Sequence, residues 1–230
     1  MGTAKKAAAS LGRRLAPKAA QVSPSTTSQF VHAALDRAIK GAGRLKGAAR
    51  AADEALETSD GNADDAVKAL IDSHVRMAGA QGMLTNLGGL VTMAVSVPAN
   101  IAGLALIQAR LVASIAHLRG YDLDDPRTRG AVLVAMLGEE RVLAQIRAKK
   151  IPGTPMAVAT APVHDPDLDV LLAGEVAGEL LTKVAGKRLA TAVGRRTPVI
   201  GGLVGAGTDG ISTWRIGRYV DREFLPRRRR

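Results

Sequence analysis

The sequence predicts an all-α protein, a single helical bundle of about six to eight helices with a glycine-rich apolar helical hairpin at its centre and disordered basic tails. Three observations carry that prediction. Apolar residues recur at helical spacing along most of the chain. No alternation of apolar and polar residues runs long enough to mark a strand. From Met77 to Ala109 there is no charged side chain, a run of 33 residues.

With 230 residues and 47% apolar content the chain suits one domain with a real core. The first 24 residues are Ala-rich, carry Lys5, Lys6, Arg13, Arg14 and Lys18 and no acid, and read as a disordered basic tail. Arg13-Arg14 is no export signal, because Leu15-Ala16-Pro17-Lys18 follows where an apolar stretch is needed. From Thr26 to about Leu56, residues Phe30, Ala33, Ala34, Ile39 and Leu45 mark one amphipathic helix. Ser59-Asp60-Gly61-Asn62 ends it. Asn62 or Asp64 caps a second helix through Val67, Leu70, Ile71 and Val75, with Asp64 and Asp65 at its positive dipole end.

The uncharged run has two readings. At about 20 residues per span it could form one tilted transmembrane helix, or a hairpin of two shorter helices. Gly82, Asn86, Gly88, Gly89, Pro98 and Asn100 interrupt its apolar character, which favours the hairpin, buried or partly membrane-embedded, with Pro98 kinking or ending a helix. A helix then continues to Leu118, with Leu104, Ile107, Leu111, Ile115 and Leu118 on its core face and Arg110 and His117 on another. Asp125-Pro126 is a cap followed by proline at the first helical position, opening a helix to about Lys149. Ile151 to Val163 reads as an internal linker or lid. Asp165-Pro166 repeats the capping device before a helix through Leu168, Leu172, Val176 and Leu180, with an exposed ladder of Glu175, Glu179, Lys183 and Lys187. Pro198 begins the last helix, which passes Gly201, Gly205, Asp209 and Trp214 to Phe224. The predicted layout is a tail over 1–24, a helical domain over 25–225 and a basic tail over 226–230.

The formal charge of +11 sits at the ends: residues 1–50 carry +9 and residues 215–230 carry +5, which leaves −3 between them. Such ends seek a polyanion, an anionic membrane surface or nucleic acid, or serve solubility. The absence of cysteine excludes disulfides, thiolate metal sites and thiol nucleophiles, and suits a reducing cytoplasm. Five aromatic residues are too few for the stacking platforms of single-strand nucleic-acid modules.

Several motifs fail on context. Gly205-Ala206-Gly207-Thr208-Asp209-Gly210 matches the dinucleotide fingerprint, yet no βαβ unit surrounds it; Gly201 and Gly205 are helix-packing glycines, as are Gly82, Gly88 and Gly89. Asp165, Asp167 and Asp169 alternate like a calcium loop, but Val170 and Val176 occupy its glycine and glutamate positions. Asp122, Asp124 and Asp125 form a loop acid cluster open to a cation or a basic partner. No histidine pair has metal-ligand spacing, and only His74 with His117 invites testing as a distant pair. No metal site and no cofactor is expected. Asp209 is the one acid between Thr197 and Trp214, so burial requires a partner, with Arg110, Arg215 and Asn100 as candidates. A site on such a pair is the best physical candidate for function.

The stretch from Gly82 to Gly89 with Leu84 and Leu87, then Pro98, the helix ending His117-Leu118-Arg119-Gly120-Tyr121-Asp122, and Asp124-Asp125-Pro126, resembles the hallmark region of the EcsC family. Pro198-Val199-Ile200-Gly201 with Gly205 and the helix to Phe224 resembles its C-terminal segment, so the similarity spans roughly residues 60 to 225. Asn100 stands where the family has an aspartate, and Asp209 where it has an asparagine; the resemblance implies exchanged partners in one polar contact. It implies a bacterial protein without an established activity, and carries over no catalytic residue.

The resulting expectation is a non-enzymatic helical protein that associates with a membrane or a protein partner, cytoplasmic and peripheral to or partly embedded in the inner membrane. The alternatives are non-specific nucleic-acid binding through the tails, or a small-ligand or enzyme domain built on an Asp209 cleft. Oligomeric state leaves no mark in the sequence.

Overall fold

The computed structural model describes residues 24–87, 93–193 and 198–227. Nearly all of the predicted N-terminal tail, Gly88, Gly89 and the last three arginines lie outside those residues, as do the side chain of Asn100 and the surroundings of Gly201 and Gly205. Among the described residues the chain forms α1 (Pro24–Lys40), a ribbon of β1 (Gly41–Ala42) and β2 (Leu45–Lys46), α2 (Ala48–Thr58), α3 (Ala63–Leu87) and α4 (Met93–Leu118). Then follow α5 (Pro126–Met136), α6 (Glu139–Arg147), the short α7 (Pro155–Ala159), α8 (Pro166–Val193) and α9 (Pro198–Glu223). The all-α class holds, with nine helices among these residues.

Two expected helices are each divided, for the same reason. The span Thr26 to Leu56 breaks at Gly41, whose φ of 97° is the left-handed region and whose added Cβ would meet Leu45 O at 2.8 Å and Gly47 N at 2.9 Å. The chain turns back there, pairing Gly41 with Lys46 and Ala42 with Leu45. The helix expected to reach Lys149 breaks at Gly138, with φ of 82°. The segment from Ile151 to Val163 is no free lid: Ile151, Val158 and Ala159 are buried, α7 packs on α5, and Arg127 Nη1 donates to Ala161 O at 2.7 Å.

The predicted starts hold. Asn62 Oδ1 accepts from the Asp64 and Asp65 amides, Asp125 Oδ1 from Arg127, and Asp165 Oδ1 from Asp167 and Leu168. Pro98 does not end a helix, because α4 begins at Met93 and runs through it. Glu175 is no exposed rung: it is half-buried and accepts from Gln145 at 2.5 Å and Arg141 at 3.2 Å.

The expected hairpin is α3 and α4, and α4 is the axis of the molecule. It packs on α1, α2, α3, α5, α8 and α9, so the apolar stripe expected on one face becomes burial all round: every residue from Gln108 to Ala116 is buried. Gly103 of α4 approaches Gln81 of α3, and Arg110 approaches His74, so the two helices run antiparallel. Gly210 of α9 approaches Val75 of α3 and Gly217 approaches Ile71, so α9 is antiparallel to α3 as well. The end of α3 at Leu87 and the starts of α4 and α9 at Met93 and Pro198 therefore gather at one end of the bundle. Val193, the end of α8, is separated from Pro198 by four residues and so lies within ~18 Å of it at full extension.

The opposite end is fastened by charge and by the Gly-Tyr-Asp turn. Arg119 bridges Asp64 at 2.9 Å and Asp221 at 2.8 Å, linking α3, α4 and α9. Gly120, with φ of 85°, lets the Arg227 carbonyl come close; Tyr121 packs edge-on to buried Phe224 at 4.8 Å, and Arg227 lies over the Tyr121 ring at 5.1 Å. The turn is thus the clasp of the C-terminal helix.

Candidate functional site

The unusual chemistry of the bundle lies where α3, α4 and the ribbon meet. Arg110, expected on a polar face of α4, is only 8% exposed. Its Nε donates to Lys46 O at 2.7 Å, and its Nη1 lies 3.2 Å from His74 Nε2. His74 is buried, and its Nδ1 lies 2.7 Å from Leu70 O, one helical turn earlier. A carbonyl can only accept, so Nδ1 carries the proton and Nε2 offers its lone pair to the guanidinium. This chain of donors assigns the tautomer and requires a neutral imidazole.

The electrostatics agree. Burial, and secondarily the Arg110 charge, pulls the His74 pKa from 6.5 down to about 4, against the hydrogen bond to Leu70 O, which raises it. Burial also lowers the Arg110 pKa, with the Glu54 field opposing. Among the described residues no carboxylate forms an ion pair with Arg110, so its charge is solvated by a backbone carbonyl and an imidazole lone pair. With both ring nitrogens committed, His74 serves as a structural acceptor rather than a base facing solvent. Next to this group, Ser114 Oγ donates to Ala48 O at 2.9 Å, a second bond from α4 to the segment leaving the ribbon. Gln108 Nε2 donates to Ser212 Oγ at 2.9 Å and Thr213 Oγ1 at 3.3 Å, tying α4 to α9.

The sequence-predicted residues are dispersed. Asp209 is buried on α9 and engaged in a polar interaction of its own. Arg110 is spent on Lys46 O and His74, and Arg215 is exposed, so neither is the partner expected for Asp209. His74 and His117 do not meet: His117 Nε2 contacts Asp53 at 3.0 Å. In the acid cluster, Asp122 Oδ1 accepts from the Asp124 amide, while Asp125 caps α5 and chelates Arg127 through both carboxylate oxygens. Gly82 is buried on α3. Among the described residues no group of three or more His, Cys, Asp or Glu side chains is placed to hold a metal ion.

A cleft of about 270 Å³ opens between α5, α7 and α8, lined by Arg127, Val158, His164, Asp165, Leu168 and Asp169. Several of its charges are already satisfied internally, Arg127 by Asp125 and His164 by Asp169 at 2.8 Å.

The sequence singled out His74 but with His117 as its partner, and missed its pairing with Arg110. The signal was present in spacing: Val67, Leu70, Ile71, His74 and Ala78 share one face of α3, and all five are buried. Lys46 contributes a carbonyl, which no side-chain pattern announces.

No curated protein and no solved structure matches the chain. A family match ends at residue 144, so the likeness of Pro198–Gly201 to a C-terminal segment lies beyond it. The match covers residues 2–144, which take in the ribbon, the α3–α4 hairpin, the Arg110–His74 pair and the Gly-Tyr-Asp clasp, and the chain belongs to the EcsC protein family.

Proposed function

We propose that this protein is a monotopic membrane-associated protein, which seats the tip of the α3–α4 hairpin, flanked by the start of α9, in one leaflet of an anionic membrane. The observation that carries the reading is the charge pattern of that end. The last 11 residues of α3 (77–87), the first 17 of α4 (93–109) and the first 11 of α9 (198–208) hold no charged residue. At 1.5 Å per residue the shortest of these uncharged lengths is about 16 Å, close to the ~15 Å of hydrocarbon in one leaflet. In sequence, Arg76 directly precedes the uncharged end of α3 and buried Asp209 directly follows that of α9, while the stretch between Glu179 and Asp209 carries Lys183, Lys187, Arg188, Arg195 and Arg196 and no acid. Basic residues at the headgroup level are each worth about 1 kcal/mol on an anionic surface.

No described helix is long and apolar enough to cross a membrane. Apolar burial favours entry, and attraction of basic residues to anionic headgroups adds to it. Met83, 45% exposed on α3 within the uncharged layer, is the residue to perturb. Flotation with phosphatidylglycerol-containing and purely zwitterionic vesicles tests the reading. Wild-type protein should float with anionic vesicles, and Met83→Asp should float several-fold less while keeping its helical signal. Wild-type protein that stays with the soluble fraction in all vesicles and at all salt concentrations refutes it.

A further inference from the structure

We infer that the β1–β2 ribbon and the last turn of α1 form a binding site for anionic phospholipid headgroups, held rigid by Arg110. This rests on the leaflet reading above and adds to it a site outside the apolar end. Between Arg37 and Ala52 the chain has five basic residues, Arg37, Lys40, Arg44, Lys46 and Arg50, and no acid. All five are exposed. Glu54 takes up two of them, Lys46 at 2.7 Å and Arg50 at 3.2 Å. Arg37, Lys40 and Arg44 form no ion pair among the described residues. Three unneutralised cations on one short turn are matched by phosphodiester anions.

The ribbon is also unusually well anchored for a surface turn. Gly41 and Gly47 admit no side chain, since a Cβ at Gly47 would sit against Ile39 O. Arg110 grips Lys46 O and Ser114 grips Ala48 O from inside the bundle. A buried charge is a costly way to hold a loop, and here it fixes where the three cations stand. Arg110 is therefore a positioning residue.

The height of the ribbon agrees with the phosphate zone. It is fastened at the level of Arg110, about 25 Å along α4 from Met93, and of His74, about 20 Å along α3 from Leu87. With the tip of the α3–α4 hairpin at the centre of the bilayer, the hydrocarbon edge lies at ~15 Å and the headgroups extend to ~20–22 Å. The cations thus stand at the outer headgroup level on the side of the bundle.

The test compares full-length wild type, the triple variant Arg37→Gln/Lys40→Gln/Arg44→Gln, and a control of equal charge change, Arg147→Gln/Lys149→Gln/Lys150→Gln, on vesicles with and without phosphatidylglycerol. All six side chains are exposed, so the variants retain the fold, checked by circular dichroism. The ribbon variant should bind anionic vesicles about a hundredfold more weakly, a factor of about five for each basic side chain at the surface, while the control loses at most a few-fold. Its residual binding should stay above that of wild type on zwitterionic vesicles, because the basic residues outside the ribbon still meet anionic headgroups. Equal losses in both triple variants, or unchanged affinity in the ribbon variant, overturn the site while leaving the leaflet reading intact. Selective displacement by inorganic phosphate at constant ionic strength assigns the cations to a free anion and overturns the lipid assignment. Wild type that binds no vesicle overturns both.

Discussion

Replacing His74 by glutamine isolates the proton chemistry of the buried pair. Glutamine keeps an amide that can donate to Leu70 O and accept from Arg110, but it does not titrate. In the wild type His74 has a pKa of about 4 in the folded chain against 6.5 in the unfolded one. The unfolded chain is the stronger base, so as pH falls through 6.5 it takes up the proton first. The stabilisation from neutral His74 is whole above that point and is lost progressively toward pH 4. At 1.36 kcal/mol per pKa unit the loss is about 2 kcal/mol by pH 5 and about 3 kcal/mol by pH 4, measured from neutral pH. Urea unfolding of both proteins at several pH values gives two stability curves. Carboxylates and the other histidines contribute equally to both, so their difference reports His74 alone. The stability of wild type minus that of the variant should fall by those amounts as the pH falls, most steeply between 6 and 5, whatever its sign at neutral pH. Parallel curves, or an NMR titration that places the His74 imidazole near 6.5, would refute both the neutral tautomer and its role as acceptor for Arg110.

Two further perturbations test the parts around it. Gly41→Ala forces a Cβ to within 2.8 Å of Leu45 O at a φ of 97°, and should cost about 2–3 kcal/mol in urea unfolding and speed trypsin cleavage after Arg44; unchanged cleavage contradicts the ribbon geometry. Phe224→Ala empties a fully buried site against Tyr121 and should cost about 3–5 kcal/mol, with a value under 1 kcal/mol showing that the C-terminal clasp does not pack as described.

Much of the fold was legible because its signals are local. Each of the caps at Asn62, Asp125 and Asp165 needs only two or three adjacent residues; the latter two were read as such, and Asn62 was one of two candidates. The 33-residue uncharged run likewise pointed to the α3–α4 hairpin. The misread breaks at Gly41 and Gly138 also had local causes, glycines held at positive φ, but a glycine inside an apolar-periodic stretch gives no sign of which side of the Ramachandran map it will occupy. What decides that is the neighbouring backbone, the Leu45 carbonyl and Gly47 amide at Gly41, and neither is visible before the chain has folded back.

The buried pair was illegible for a different reason. An amphipathic reading assumes one buried face, and so sets Arg110 off the core stripe, where it could be offered only as a partner for Asp209. The assumption fails for α4 because neighbours surround it, so that from Gln108 to Ala116 position on the helix wheel no longer decides exposure. A charge in such a helix must be met by whatever the packing brings, and here that is an imidazole 36 positions away and a backbone carbonyl 64 positions away. Asp209 shows the complementary point. A buried lone acid needs a polar partner, and Asp209 is 2% exposed, but the choice of Arg110 as that partner went by residue type alone. Antiparallel packing of α3 against both α4 and α9 supplies the missing constraint: it sets Arg110 level with His74, and Val75 level with Gly210, before any charge is considered. In a bundle of this kind the register of the glycine contacts determines which polar groups can meet, and the charges take the partners that register leaves within reach.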